Sequence, residues 1–221
     1  MIRVMVVDDE ALIRTGFQYI LDTADDIEVV AAVSGGQAVP GVRELCPDVV
    51  LLDIRMPDVD GLTVLAELRR LPRPPVVAML TTFDMDEYVA AALHSGAAGF
   101  LLKDTDPEQL PHLIRTLADG GVVLASRVTR AVVDGYLDSG PQQAAARCVA
   151  RLTERERSVL VLIAEGRSNS DIAVRMNLST GTVKDHVSAV LSKLEVGNRV
   201  QAALLADRAG LLRPQREPEA G

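Results

Sequence analysis

The chain has 221 residues, 48% of them hydrophobic and 24% charged, which is enough apolar material for two modest cores and too much for a disordered polypeptide. Its net charge of −8 is uneven: residues 1–118 hold 9 Lys and Arg against 19 Asp and Glu, while residues 151–221 hold 11 against 9. Overall acidity argues against nonspecific nucleic-acid binding, yet it leaves room for a small, locally basic module whose charges face phosphates.

Cys46 and Cys148 are far apart and have no metal-ligand neighbours, and the opening MIRVMVVDDE is too short and too acidic for a signal peptide. No apolar run approaches the roughly 20 residues that a membrane-spanning helix needs. The expectation is a reduced, soluble, cytoplasmic protein without a membrane partner.

Up to residue 118, short β-branched apolar runs alternate with helical patterns. The runs are IRVMVV (2–7), IEVVAAV (27–33), DVVLLD (48–53), PVVAML (75–80) and GFLLK (99–103). Helices are expected between and after them, near 10–22, 36–45, 61–70, 84–95 and 107–118. This alternation predicts an α/β domain, and apolar runs with little alternation predict a parallel sheet buried on both faces, doubly wound by right-handed crossovers. In such sheets ligands bind beyond the carboxyl ends of the strands.

Several polar residues collect at that end. Asp8 and Asp9 follow the first strand, Asp53 ends the third, Thr81 ends the fourth and Lys103 ends the fifth. Clustered carboxylates repel one another unless a hard cation lies between them, and an all-oxygen set suits Mg²⁺. Beside such a cation Asp53 is placed to attack phosphorus and become an aspartyl phosphate, with Lys103 pairing with phosphate oxygens. Singly, each residue has a plainer role: DDE as an acidic helix start, Asp53 as a loop cap, Lys103 as a solvated charge. The five together favour the phosphoryl site. Pro57 and Gly61 are expected to shape the turn after the acceptor strand.

VVDDE (6–10), LLDIRMPDVDG (51–61), MLTTFD (79–84) and GAAGFLLKD (96–104) resemble the receiver domain of two-component response regulators. The resemblance implies a flavodoxin-like five-stranded sheet of order 2-1-3-4-5 over residues 1–118. It also implies that Asp53 is phosphorylated by a sensor histidine kinase, that Mg²⁺ is held by Asp8, Asp9, Asp53 and the backbone carbonyl of Arg55, and that Thr81 and Lys103 contact the phosphoryl group. Thr81 and Phe100 would then form a switch, although Phe100 also fits an ordinary core position. Such a receiver catalyses only its own phosphoryl transfer and dephosphorylation. An enzyme acting on a free phosphate ester would share the aspartyl chemistry, but no cap insertion or substrate-pocket motif is present.

Residues 119–147 contain glycine pairs and a polar GPQQ stretch, and are expected to be a linker with one short helix near 126–137. Residues 148–211 then predict four short helices. Thr153 and Glu156 form a capping box for the first, with Val159, Leu160, Leu162 and Ile163 as its apolar positions and Gly166 as its stop. SNSDIAVRM is the second. TGTVKDHVSAVLSKL, capped by Ser179, is the third, with Val183, Val187, Val190, Leu191 and Leu194 on one face and Thr182, Lys184, Asp185, Ser188 and Ser192 on the other. Periodicity alone leaves a plain helical bundle and a helix-turn-helix nearly balanced.

The pattern LTERERSVLVLIAEGRSNSDIA, followed by LSTGTVKDHVSAVLSKLEVGNRVQAA, resembles the LuxR-type output domain, and with the receiver before it the chain is similar to the NarL/FixJ group. This implies an all-α helix-turn-helix domain that binds double-stranded promoter DNA through the helix from Thr180, with Asn198 and Arg199 near a phosphate. It further implies a homodimer when phosphorylated or DNA-bound, with Val200, Ala203 and Leu204 as dimer contacts. Asp185 and Ser188 stand where other members often place an apolar and a basic residue. His94, His112 and His186 have no ligand or nucleophile near them in the sequence and are read as packing or surface residues. The tail from 212 to 221 is expected to be disordered.

Overall fold

The computed structural model describes residues 1–82, 86–124 and 142–212, without the side chains of residues 86, 87 and 142–144. The helix expected near 126–137 and the tail beyond Leu212 lie outside the described residues. The chain divides into two compact units, Met1–Leu137 and Asp138–Gly221.

The first unit alternates strand and helix: β1 Ile2–Val7, α1 Ala11–Leu21, β2 Ile27–Val33, α2 Ala38–Leu45, β3 Val49–Asp53, α3 Gly61–Arg69, β4 Val76–Thr81, α4 Asp86–His94, β5 Gly99–Leu102, α5 Leu110–Ala118 and β6 Val123–Leu124. All pairings are parallel, and the strand order is β2-β1-β3-β4-β5-β6. The five expected strands take the expected order. A sixth lies in the stretch read as linker, where Val123 and Leu124 pair with Gly99 and Phe100. Two residues are too few to leave a periodic signature, so the sequence did not announce this strand.

β3 is buried throughout and β1 along its last four residues, as central parallel strands covered on both faces must be. One side of the sheet packs Val4, Val6, Leu51, Ala78, Leu80 and Leu101 against Phe17 and Leu21 of α1 and Ile114 and Leu117 of α5. This core fixes the strands in register, so that their carboxyl ends form one edge.

The second unit has five described helices: α6 Gln142–Val149, α7 Glu154–Ala164, α8 Asn169–Met176, α9 Thr180–Leu194 and α10 Arg199–Arg208. α6 begins in QQAAAR, the end of the stretch read as linker; its three alanines are strong helix formers. Val159, Leu160, Ile163, Ile172, Val183, Val190 and Leu194 make a separate core. No described helix of either unit is long and apolar enough to cross a membrane.

The loop after β3 is pinned to that strand. Gly61 N–H donates to the Ile54 carbonyl at 3.0 Å, and Arg55 and Asp60 form an isolated antiparallel bridge. A Cβ at Gly61 would stand 2.1 Å from the Asp53 carbonyl oxygen and 2.8 Å from that of Ile54, and backbone atoms cannot rotate out of the way. Gly61→Ala should therefore cost about 1–3 kcal/mol in urea unfolding, near the upper end of that range. Gly16, in α1, has open space where its Cβ would go, and Gly16→Ala should stabilise by about 0.5–1 kcal/mol. Equal effects of the two substitutions would refute this account of the loop.

Candidate functional site

Adjacent strands end at the same edge, and this brings the predicted residues together. Asp8 and Asp53 are buried, Asp9 is half-buried and Thr81 is buried. Carboxylate oxygens of Asp8, Asp9 and Asp53 all lie within 4.8 Å of one another. The Lys103 ammonium lies 3.0 Å from Asp8 Oδ2, 3.0 Å from Asp53 Oδ2 and 3.0 Å from Glu10 Oε1, and the Lys103 N–H donates to the Thr81 carbonyl at 3.0 Å. One cation thus faces three carboxylates.

The remaining oxygens are unevenly served. Asp8 Oδ1 accepts from Glu10 N–H at 2.9 Å, and Asp53 Oδ1 accepts a long bond from Arg55 N–H at 3.4 Å. Asp8 Oδ2 is fully buried and, despite its proximity to Lys103, receives no well-aligned hydrogen bond. Burial, with the Asp8 charge adding to it, pushes the Asp53 carboxyl up to about 6 against the opposing pull of Lys103. Burial alone would lower the Lys103 ammonium, but the carboxylates of Asp8, Glu10 and Asp53 hold it well above its ordinary value. The pocket therefore has more negative charge than one lysine balances.

Thr81 Oγ1 donates to the Thr82 carbonyl at 2.9 Å. Phe100 is fully buried in β5 and pairs with Met79 of β4. The sequence reading did not single out Glu10, which adds the third carboxylate on Lys103, or Arg14, which donates to the carbonyls of Asp8 and Asp9. The only sequence signal for Glu10 was its position beside the acidic pair, and Arg14, more than a helical turn further on, had none.

In the second unit, Thr153 and Glu156 form the expected capping box. Ser168 and Asp171 form another on α8, and Ser179 caps α9 by accepting from Thr182 N–H at 3.1 Å. Val183, Val190 and Leu194 of α9 are buried, and Thr182, Lys184, Asp185, Ser188 and Ser192 are exposed along its other side. Ser188 Oγ donates to the Lys184 carbonyl at 2.9 Å. Lys184 has no ion pair among the described residues.

Asn198 and Arg199 do not extend that exposed row. Asn198 caps α10, accepting from Gln201 N–H at 2.8 Å. Arg199 is 7% exposed and donates to the Arg167 carbonyl. Both were expected near a phosphate; in the fold Asn198 Oδ1 holds the start of α10 and the Arg199 guanidinium the corner before α8. Of the three expected dimer contacts, Val200 is buried, only 6% exposed, and Ala203 and Leu204 are each half-buried.

Residues 4–115 match the model for the response regulator receiver domain, and residues 150–206 match that for bacterial regulatory proteins of the luxR family. The chain is 36% identical to the transcriptional regulatory protein LiaR of Bacillus subtilis over 215 residues, covering 96% of this chain and 100% of that protein. This chain belongs to the response regulators. It is also 38% identical to the response regulator protein VraR of Staphylococcus epidermidis, over 96% of this chain and 99% of that one. The crystal structure of the response regulator ChrA of a heme-sensing two-component system is similar too, at 34% identity and a TM-score of 0.52, covering 96% and 98% of the two chains. As a response regulator with a LuxR-type DNA-binding domain, the protein is a transcription regulator.

In the output domain of this response regulator, Lys193 Nζ in the last turn of α9 lies 2.7 Å from both Glu156 oxygens, and Glu156 also accepts from Thr153 N–H at 2.8 Å. Lys193 first, then the Thr153 amide, draw the Glu156 carboxyl from 4.5 down to about 2. A depressed carboxyl stabilises fully above its unfolded value and loses that contribution as pH falls through the folded one. Glu156→Gln should therefore melt below wild type at neutral pH, with the gap narrowing steadily below pH 4.5. A gap that does not change with pH would exclude the Glu156 charge as its cause.

Proposed function

We propose that Asp53 accepts a phosphoryl group from a sensor histidine kinase, and that this phosphorylation controls dimerisation and promoter binding through α9. The observation that carries the reading is the convergence of Asp8, Asp9, Asp53 and Lys103 on one sheet edge.

The donor set fits Mg²⁺: three carboxylates supply hard oxygen ligands within reach of one another, and Asp8 Oδ2 is buried without an aligned donor. Asp8, Asp9, Asp53 and the Arg55 carbonyl would hold the ion. When bound, it supplies charge neutralisation at the phosphoryl oxygens. The chain's own residues do the rest. An oxygen of the ionised Asp53 carboxylate forms the new O–P bond as the P–N bond of the kinase phosphohistidine breaks. Lys103, already 3.0 Å from Asp53 Oδ2, is placed to pair with a phosphoryl oxygen. Thr81 would turn its hydroxyl from the Thr82 carbonyl toward the phosphoryl group, with the buried Phe100 ring repacking beside it. The receiver would catalyse only its own phosphoryl transfer and dephosphorylation.

On the output side, the exposed row Thr182, Lys184, Asp185 and Ser188 would face base edges and phosphates in the major groove of double-stranded DNA. The dimer would use Ala203 and Leu204, and the protein would act in the cytoplasm between kinase and promoter.

A small phosphodonor with Mg²⁺ should retard the wild-type protein on a phosphate-affinity gel, whereas Asp53→Asn or added EDTA should abolish the shift, and footprinting should show stronger promoter protection with the donor. An unshifted wild type, or turnover of external phosphate esters, would defeat the signalling reading. Asp185 repels phosphates and can accept from a cytosine amino group. Asp185→Ala should therefore relax base preference at one position of each half-site in a binding-site selection while strengthening nonspecific binding. Unchanged preference would remove Asp185 from base recognition.

A further inference from the structure

We infer that Arg14 is a positioning residue for the cation pocket, acting on the backbone that carries Asp8 and Asp9. This rests on the reading of that pocket as a Mg²⁺ site.

The two acids stand in the short connection between Val7, the end of β1, and Ala11, the start of α1. A connection so short has few hydrogen bonds to fix its peptide planes. The Asp8 N–H is held by the Val33 carbonyl at 3.1 Å. Glu10 stands at the N-cap position of α1 but makes no side-chain cap there; its carboxylate goes instead to Lys103 at 3.0 Å.

Arg14 reaches back from the first turn of α1. Its Nη1 donates to the Asp8 carbonyl at 2.7 Å and to the Asp9 carbonyl at 2.9 Å. One guanidinium nitrogen with two hydrogens thus spans two successive carbonyls. Fixing both carbonyl directions fixes both peptide planes, and with them the directions of the Cα–Cβ bonds that aim the carboxylates. Arg14 is half-buried and always charged, and its planar, rigid head loses little freedom in making the pair of bonds.

Charge and geometry predict opposite outcomes. A guanidinium beside a cation pocket repels a second cation, so if Arg14 acted through charge alone, neutralising it would tighten Mg²⁺ binding. If it acts by aligning the two acids, its loss weakens binding, because partners that orient metal ligands from behind influence affinity about tenfold or more.

The test is a Mg²⁺ titration of the metal-stripped, full-length protein followed by amide NMR, with amide hydrogen exchange on the same samples. Arg14→Met should bind Mg²⁺ about tenfold more weakly than wild type, and exchange at residues 8–10 should accelerate in the metal-free protein while the β3 and β4 amides stay protected. Arg14→Lys keeps the charge and the stem without the planar fork, so it guards against a folding failure of the first variant; it too should bind more weakly. Wild-type or tighter affinity in either folded variant overturns the inference. A wild-type protein that shows no Mg²⁺-dependent shifts overturns the pocket reading itself and this inference with it.

Discussion

Three carboxylates facing a single lysine at the sheet edge are the constraint to which the rest of the receiver is fitted. Asp8, Glu10 and Asp53 share the Lys103 ammonium, each at 3.0 Å, and Asp9 stands within the same cluster. Like charges in a poorly solvated site are costly, so the pocket exists only because the buried strands beneath it hold Asp8 and Asp53 in place. That excess of negative charge suits the site to a divalent cation, and burial, with the Asp8 charge adding to it, raises the Asp53 carboxyl. Glu10 differs from the two buried acids in being largely exposed, so it is the partner that Lys103 can release at least cost.

Much of this was legible in the sequence because it depends on periodicity and order. Five apolar runs gave five strands, and the residue following or ending each run gave Asp8, Asp53, Thr81 and Lys103 their common edge. The Thr153 and Glu156 spacing identified the start of α7, since a capping box is purely local. What escaped depends on reach or on burial. Arg14 and Glu10 act through the ends of long side chains, whose direction no spacing rule contains. Lys193 meets Glu156 across 37 residues of chain. Asn198 and Arg199 were singled out only by resemblance, and their burial and their bonds to backbone groups of the fold left no mark in the sequence. β6 consists of two residues, fewer than any alternation can mark.

The two units follow different physical plans. The receiver concentrates its polar chemistry in one pocket above a sheet, with groups delivered at the carboxyl ends of β1, β3, β4 and β5. The output unit spreads its polar groups over helix ends, where Thr153, Ser168, Ser179 and Asn198 each accept from an amide that the helix leaves unpaired. A receiver can therefore be disabled at a single atom, whereas the output unit weakens in increments as individual caps are lost.

The Glu156 and Lys193 pair has a consequence for how such proteins diversify. Lys193 sits at the far end of α9 from Thr182, Lys184 and Asp185, and the fold is anchored there and along the buried row of Val183, Val190 and Leu194. The outward row bears little of that structural duty, so on the proposed reading of it as the DNA-facing row a duplicated gene could alter it residue by residue and acquire a new set of promoters while the supporting framework stays as it was.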